Sequence, residues 1–199
     1  MTEERNRLLQ VLRERSLKIG NFTLVSGKKS NYYFDSKFTT LHPEGGYLTA
    51  LLILDEIRKR SIEAEAIGGL TLGADPIVSS VAALSFSLRE RYQSISAFIV
   101  RKDVKEHGTK RAIEGYEADK GTRVIIIDDV CTTGGSTMKA VQAAEDAGFQ
   151  VSAIICLVDR EQGGAEALKD YPFYPLFTAK ELLSSPQIQE ELKRISDIG

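Results

Sequence analysis

Apolar positions along the chain follow two periods, one suited to strands and one to helices. Val124-Ile125-Ile126-Ile127 is four consecutive β-branched residues, the pattern of a strand buried on both faces near the centre of a parallel sheet. Asp128 and Asp129 follow at its C-terminal end, a turn of Thr, Gly and Ser comes next, and Met138–Ala147 continues as a helix stopped by Gly148. Upstream, Leu8, Leu9, Val11, Leu12 and Leu17 stand among charges and predict an amphipathic helix over residues 2–17, ended by Gly20. Residues 21–35 read as two short strands about a Ser26-Gly27-Lys28-Lys29-Ser30 turn. Pro43 opens a helix to about Arg60 with Leu48, Leu51, Leu52, Leu54 and Ile57 on its apolar face. Ala64–Ile67 is a short strand, Gly68–Pro76 a glycine-rich turn, 76–90 a helix and Ser94–Val100 another strand. Gln150–Val158 is a further buried strand, followed by a helix around 164–170, a strand near 173–177 and a last helix pair. Thr178-Ala179-Lys180-Glu181 is a capping-box signature for the first of that pair. Strands alternating with helices predict one α/β domain with a central, mostly parallel twisted sheet flanked by helices.

In such sheets ligands sit outside the carboxyl ends of the strands. The stretch Asp128-Asp129-Val130-Cys131-Thr132-Thr133-Gly134-Gly135-Ser136 lies there. A small-residue turn entering a helix presents backbone N–H groups and the positive end of the helix dipole, which suits a phosphate. Two adjacent acids suit two sugar hydroxyls, with Mg2+ close by. The stretch therefore reads as a ribose-phosphate cradle, against the simpler reading of an ordinary βα turn with solvated acids.

Other segments leave alternatives open. Tyr32-Tyr33-Phe34 must face both sides of its strand, so at least one ring leaves the core, as a wall for a planar ligand or beneath a loop. Gly68-Gly69-Leu70-Thr71-Leu72-Gly73 is a second candidate phosphate loop or a plain glycine turn. It matches neither dinucleotide-binding nor P-loop spacing. Arg101 to Arg111 holds five Lys/Arg against two acids, a local charge of +3. With glycines at 108 and 115 it is expected as a mobile loop over about 102–115, either a solvated face or a cationic cover for a leaving group. Arg160, at the end of its strand, is placed to fork onto a planar anion or to pair with Asp159 or Glu161.

Composition narrows the class. The chain has 199 residues, 42% hydrophobic and 27% charged, with a net charge of −2. One globular domain with a substantial core fits these values, and no general attraction to nucleic acid or anionic membrane is expected. The N-terminus lacks the apolar core of a signal peptide, no apolar run reaches membrane-spanning length, and two cysteines make neither a disulfide framework nor a zinc site. A cytoplasmic location is expected. Cys131 reads as a small filler within the cradle, Cys156 as packing and His42 as structural.

Four segments in order, Phe22–Asp35, the Arg101-Lys102-x-x-Lys105-x-His107-Gly108 loop, Asp128–Ser136 and Asp159-Arg160, are similar over nearly the whole chain to the orotate phosphoribosyltransferase family. The cradle alone resembles any type I phosphoribosyltransferase, and the cationic loop is the discriminating piece. The resemblance implies the type I phosphoribosyltransferase fold, with a small hood built largely from about residues 1–40. It implies Mg2+-dependent transfer of ribose 5-phosphate from phosphoribosyl diphosphate (PRPP) to orotate. Asp128 and Asp129 would hold the ribose hydroxyls, Val130 to Ser136 (including Cys131, Thr132, Thr133, Gly134 and Gly135) the phosphate, and Thr132 would also stand near orotate. Arg101, Lys102, Lys105 and His107 would contact the diphosphate, with Lys105 the residue whose loss costs most in rate. Gly69 to Gly73 would lie beside the diphosphate, with Thr71-Leu72 where some members have Tyr-Lys. Tyr33, Phe34 and Arg160 would take the orotate ring and carboxylate. Some members carry a lysine where this chain has Val25, and Lys28 or Lys29 would stand in for it. A homodimer with shared active sites is implied, Mg2+ being carried mainly by PRPP near Asp128 and Asp129. The rivals are a purine phosphoribosyltransferase and a non-catalytic PRPP-sensing regulator.

Overall fold

A computed structural model describes residues 2–23, 27, 29–102, 112–117 and 119–196. Its centre is β6 (Arg123–Cys131), flanked in the order β5-β4-β3-β6-β7-β8 by β5 (Ile113–Glu114), β4 (Ser96–Val100), β3 (Ala66–Leu70), β7 (Gln150–Asp159) and β8 (Phe173–Thr178). All neighbours pair in parallel except the short edge strand β5, which runs antiparallel to β4. The mostly parallel sheet is as expected.

Period-2 alternation along β6 divides the core. Ile125 and Ile127 turn to one side, where α1 (Glu3–Arg15), α3 (Pro43–Lys59) and α4 (Asp75–Ser87) bury Leu8, Leu12, Ile53 and Ile77. Val124 and Ile126 turn to the other, against Ala140, Val141 and Ala144 of α5 (Gly135–Asp146) and Leu168 just beyond α6 (Gly164–Ala167). With both faces covered, β6 has the continuous apolar run of a central parallel strand. The chain closes with α7 (Ala179–Leu183) and α8 (Pro186–Ser196), and the Thr178 hydroxyl caps α7 by accepting from the Glu181 N–H at 3.2 Å.

A separate antiparallel hairpin of β1 (Leu17–Thr23) and β2 (Lys29–Phe34) stands within residues 1–40, where the hood is expected, and α8 lies against both of its strands, while α1 of the same stretch packs into the main core. The expected first helix stops earlier than residue 17: Ser16 caps it, and Leu17 begins β1 opposite Phe34. Gly20 ends no helix. It sits inside β1, where the pairing register shifts between Ile19 and Phe22, and an added Cβ there would meet the Phe22 ring at 3.3 Å. Gly68 and Gly69, expected in a turn, are strand residues of β3. A Cβ on Gly68 would lie 2.2 Å from the Phe98 ring, and one on Gly69 2.2 Å from the Ile127 carbonyl oxygen, so these glycines serve close packing. A short helix α2 (Lys37–Thr40) follows the hairpin and has no counterpart in the periodicity. Of the expected loop at 102–115, Ile113 and Glu114 are β5, anchored by the Arg101 N–H to the Ala112 carbonyl at 2.9 Å, while 103–111 lie outside the described residues.

Candidate functional site

The C-terminal ends of β3, β4, β6 and β7 share one edge of the sheet, and most of the motif residues converge there. The ladder carries β6 through both acids, with Asp128 opposite Cys156 and Cys131 opposite Asp159. Asp128 and Asp129 are strand residues, so their side chains leave on opposite faces. Asp128 turns toward α5 and accepts a hydrogen bond from the Thr137 hydroxyl. It is 9% exposed. Burial pushes its carboxyl above the ordinary value; the Thr137 hydroxyl and the Val130 and Asp129 N–H groups pull it down, while the Asp129 charge adds to the rise. Asp129 turns the other way, accepts from the Ser36 hydroxyl and lies against Gly73, where an added Cβ would stand 2.1 Å from Oδ1.

The turn after β6 opens α5. Gly134 is its N-cap at φ 81°, ψ −4°, a left-handed conformation that glycine adopts without penalty, and no side chain caps the helix. Thr133, Gly135 and Ser136 face solvent, so the first-turn N–H groups point to an open mouth. Beneath the turn the packing is tight: a Cβ on Gly164 would lie 2.4 Å from Cys131 Sγ and 3.1 Å from the Thr132 carbonyl oxygen. Cys131 is fully buried, and its thiol is pushed up to about 11 by burial and then by the Asp128 charge. Cys156 is buried beside it, and its thiol is likewise pushed well up by burial. Both read as packing.

Arg160 leaves the end of β7, its N–H bonded to the Cys131 carbonyl at 2.8 Å. Its guanidinium lies 4.9 Å from the centre of the Tyr32 ring, and Nε donates to the Tyr32 hydroxyl at 3.3 Å. Neither Asp159 nor Glu161 takes it: the Asp159 carboxylate accepts the Glu161 N–H at 2.8 Å, and the Glu161 carboxylate accepts the Lys180 N–H at 2.9 Å. Tyr33 and Phe34 are split by strand alternation. Phe34 is buried in the core opposite Leu17, while Tyr33 is 41% exposed on the other hairpin face, 5.7 Å from Phe22. Tyr32, which the sequence reasoning did not single out, is the ring that meets Arg160. Two further omissions are Thr137 and Ser36, the hydroxyl partners of the two acids.

Loop 71–73 follows β3, with the Thr71 N–H on the Val100 carbonyl at 2.9 Å and its hydroxyl on Asp75 at 2.7 Å; the Thr71–Leu72 peptide is cis, and Leu72 is exposed. Arg101 pairs with Glu114 at 2.6 Å, and Lys102 is exposed. Lys105, His107, Val25 and Lys28 lie outside the described residues, while Lys29 is an exposed residue of β2. Among the described residues no group of three or more His, Cys, Asp or Glu gathers as a metal cage. The donor set at the end of β6, two diverging carboxylates beside a helix N-terminus that no side chain caps, fits a Mg2+ that arrives with a phosphate ligand better than one held by protein alone. A cavity of about 280 Å3 between α3 and the starts of β3 and β4, lined by Leu54, Arg58 and Tyr92, touches none of these residues.

Comparison with known proteins places the chain. A family profile described as "Phosphoribosyl transferase domain" matches residues 74–190. The chain is 44% identical over 184 residues to the orotate phosphoribosyltransferase of Bradyrhizobium sp. (strain BTAi1), covering 90% of this chain and 97% of the relative. It is 43% identical to the orotate phosphoribosyltransferase of Synechocystis sp., covering 92% and 90%. Among solved structures it resembles the Mycobacterium tuberculosis orotate phosphoribosyltransferase in complex with PRPP. The TM-score is 0.74 at 31% identity, covering 90% of this chain and 98% of that one.

Proposed function

We infer the function from one premise: the chain belongs to the orotate phosphoribosyltransferase family. It is a pentosyltransferase of pyrimidine (UMP) synthesis, moving ribose 5-phosphate from PRPP to N1 of orotate and yielding orotidine 5′-monophosphate and diphosphate. The observation that carries this reading is the pair of acids Asp128 and Asp129 at the end of β6, directly before the glycine turn that opens α5, with Arg160 on the Tyr32 ring at the end of the neighbouring strand β7. Curated relatives 41–44% identical over about nine-tenths of the chain are named orotate phosphoribosyltransferases, which favours orotate over a purine base and turnover over a sensing role.

The residue roles are our assignment. Breaking the C1–diphosphate bond builds positive charge on the ribose and negative charge on the leaving group. Asp128 and Asp129 accept the ribose hydroxyls and hold the sugar in line, and the N–H groups of Thr132 to Ser136 take the 5′-phosphate. Arg101, Lys102, Lys105 and His107 offset the charge growing on the diphosphate, with loop 71–73 beside it. Arg160, held by the ring and hydroxyl of Tyr32, forks onto the orotate carboxylate, with Thr132 near the base and Tyr33 and Phe34 on the hairpin that carries Tyr32. Mg2+ bound with PRPP near Asp128 and Asp129 would add charge neutralisation on the diphosphate. No protein nucleophile is required, because orotate N1 attacks.

We further propose a homodimer. Phe38, Leu41, Tyr47 and Phe86 are exposed on or beside the mutually packed helices α2, α3 and α4, an apolar surface suited to a second copy. Two free, buried thiols fit the reducing cytoplasm. Among the described residues no helix is long and apolar enough to cross a membrane. The test is loss of orotate absorbance on adding PRPP and Mg2+ to purified protein. Depletion that needs both supports the reading, and depletion without Mg2+ removes the metal from it. PRPP binding without orotate depletion overturns the reaction.

A further inference from the structure

Ser36 opens α2 in the position where a serine hydroxyl ordinarily caps the helix, yet it makes no cap. The N–H groups of Thr39 and Thr40 go instead to its carbonyl, both at 2.9 Å. The residue is 0% exposed, and its hydroxyl is given to Asp129, 93 residues away in sequence. The backbone around it is fixed without help from that bond. The Asp35 N–H donates to the Ser16 carbonyl at 3.0 Å, the Ser16 and Thr39 hydroxyls meet at 2.7 Å, and Lys37 pairs with Asp35 at 2.7 Å. The donor therefore stands ready before any ligand arrives.

Gly73 closes the seat from the other side. Its φ is not in the left-handed region, so glycine is required there for space: a Cβ would lie 2.1 Å from Asp129 Oδ1 and 2.5 Å from Cγ. We propose that Ser36 is a positioning residue for the transfer reaction, fixing the Asp129 carboxylate against Gly73 in the orientation that receives the ribose hydroxyls of PRPP. The proposal rests on the ribose assignment of Asp129 and extends it to a residue of the hood-to-core junction. A hydrogen bond to an ionised carboxylate in a restricted site both orients it and removes rotamers that the ligand would otherwise have to select.

The experiment is a double-mutant cycle of Ser36→Ala and Asp129→Asn, read as PRPP affinity by calorimetry in the presence of Mg2+. Ser36→Ala is expected to weaken PRPP about 10-fold and Asp129→Asn about 100-fold, the range of charge-assisted hydrogen bonds. Because Ser36 acts through Asp129, the double variant is expected to match Asp129→Asn alone; independent effects would multiply to about 1000-fold. Gly73→Ala, which keeps the hydroxyl and displaces the carboxylate, is expected to weaken PRPP at least about 10-fold by the same loss. Multiplying effects overturn the proposal by giving Ser36 a general structural role, as does unchanged affinity in Ser36→Ala, whatever Gly73→Ala does. Unchanged affinity in Asp129→Asn overturns the ribose assignment itself.

Discussion

Asp128 and Asp129 are neighbours on one strand, yet they are held by different parts of the molecule. Asp128 is buried, and its hydroxyl partner Thr137 lies nine residues on, in the first turns of the helix that follows. Asp129 reaches across to Ser36, from the segment joining the hood to the core. The first acid is set by a single βα unit and is in place once β6 and α5 pack. The second is set only when the hairpin and α2 dock. The same division runs through the whole candidate site: the turn between β6 and α5 is local, while the Arg160–Tyr32 pair joins segments 128 residues apart. The two halves should therefore respond differently to substitution.

The largest expected effect is at the local acid. Asp128→Asn is expected to lower kcat/KM by about 10²-fold or more, as for removal of one preorganised charge in a site. Its stability should move the other way. Burial raises the folded-state value of this carboxyl above the unfolded one, so the stability it contributes is present when protonated and is lost as pH rises through the folded value. At neutral pH the ionised group is a cost, and Asn keeps an acceptor for Thr137 without it. Melting curves should show the variant equal to or more stable than wild type at pH 7, the advantage fading on acidification. A deficit that persists at every pH would break the contrast between a functional acid and a stabilising one.

Gly164→Ala sharpens the contrast from beneath the turn proposed to hold the phosphate. The added Cβ would overlap Cys131 Sγ, an overpacking that costs about 1–3 kcal/mol. By moving the turn it should raise the KM for PRPP about 10-fold, the scale of one weakened charge-assisted hydrogen bond, with a smaller rise for orotate, which meets this turn only through Thr132. Removing the sulfur in a Cys131→Ala background should restore much of the loss. Equal losses for both substrates would mean that the two halves are not separable. Arg160→Lys is the converse probe: a point charge cannot fork onto a carboxylate or lie flat on Tyr32, so KM for orotate should rise about 10-fold with PRPP affinity retained.

The same division explains what could be read from the sequence. The Asp128–Ser136 cradle was legible because strand, acids, turn and helix fall in one short window whose period changes from 2 to 3.6. The strand end was misplaced by a few residues only because the ladder continues through the acids to Cys131. Gly20 and Leu17 misled for a physical reason: a glycine ends helices and also interrupts strands, and Leu17 suits either an apolar helix face or an alternating strand. The glycines of β3 looked like turn residues because the rings and carbonyls they make room for lie in other strands. Ser36 left no local signal, since the four-residue helix it opens is too short to show a period and its partner Asp129 is 93 residues away. Tyr32 was one of three adjacent aromatics, and only pairing with β1 decides which of them face inward.

Cys131 gives the smallest expected effect and tests the local half most directly. It lies within the cradle motif, where a reactive thiol would be conspicuous, but burial and the adjacent Asp128 charge push its thiol up to about 11. At pH 7.5 almost none of it is thiolate, and the Sγ atom is sealed by Gly164. Iodoacetamide at that pH should therefore leave both the mass of the native protein at Cys131 and its activity unchanged, while the unfolded chain is alkylated at both cysteines. PRPP should make no difference to the native result. Rapid native alkylation that PRPP suppresses would mean that the turn opens in solution. The phosphate seat would then be completed by its ligand, as the Asp129 side is completed by the hood.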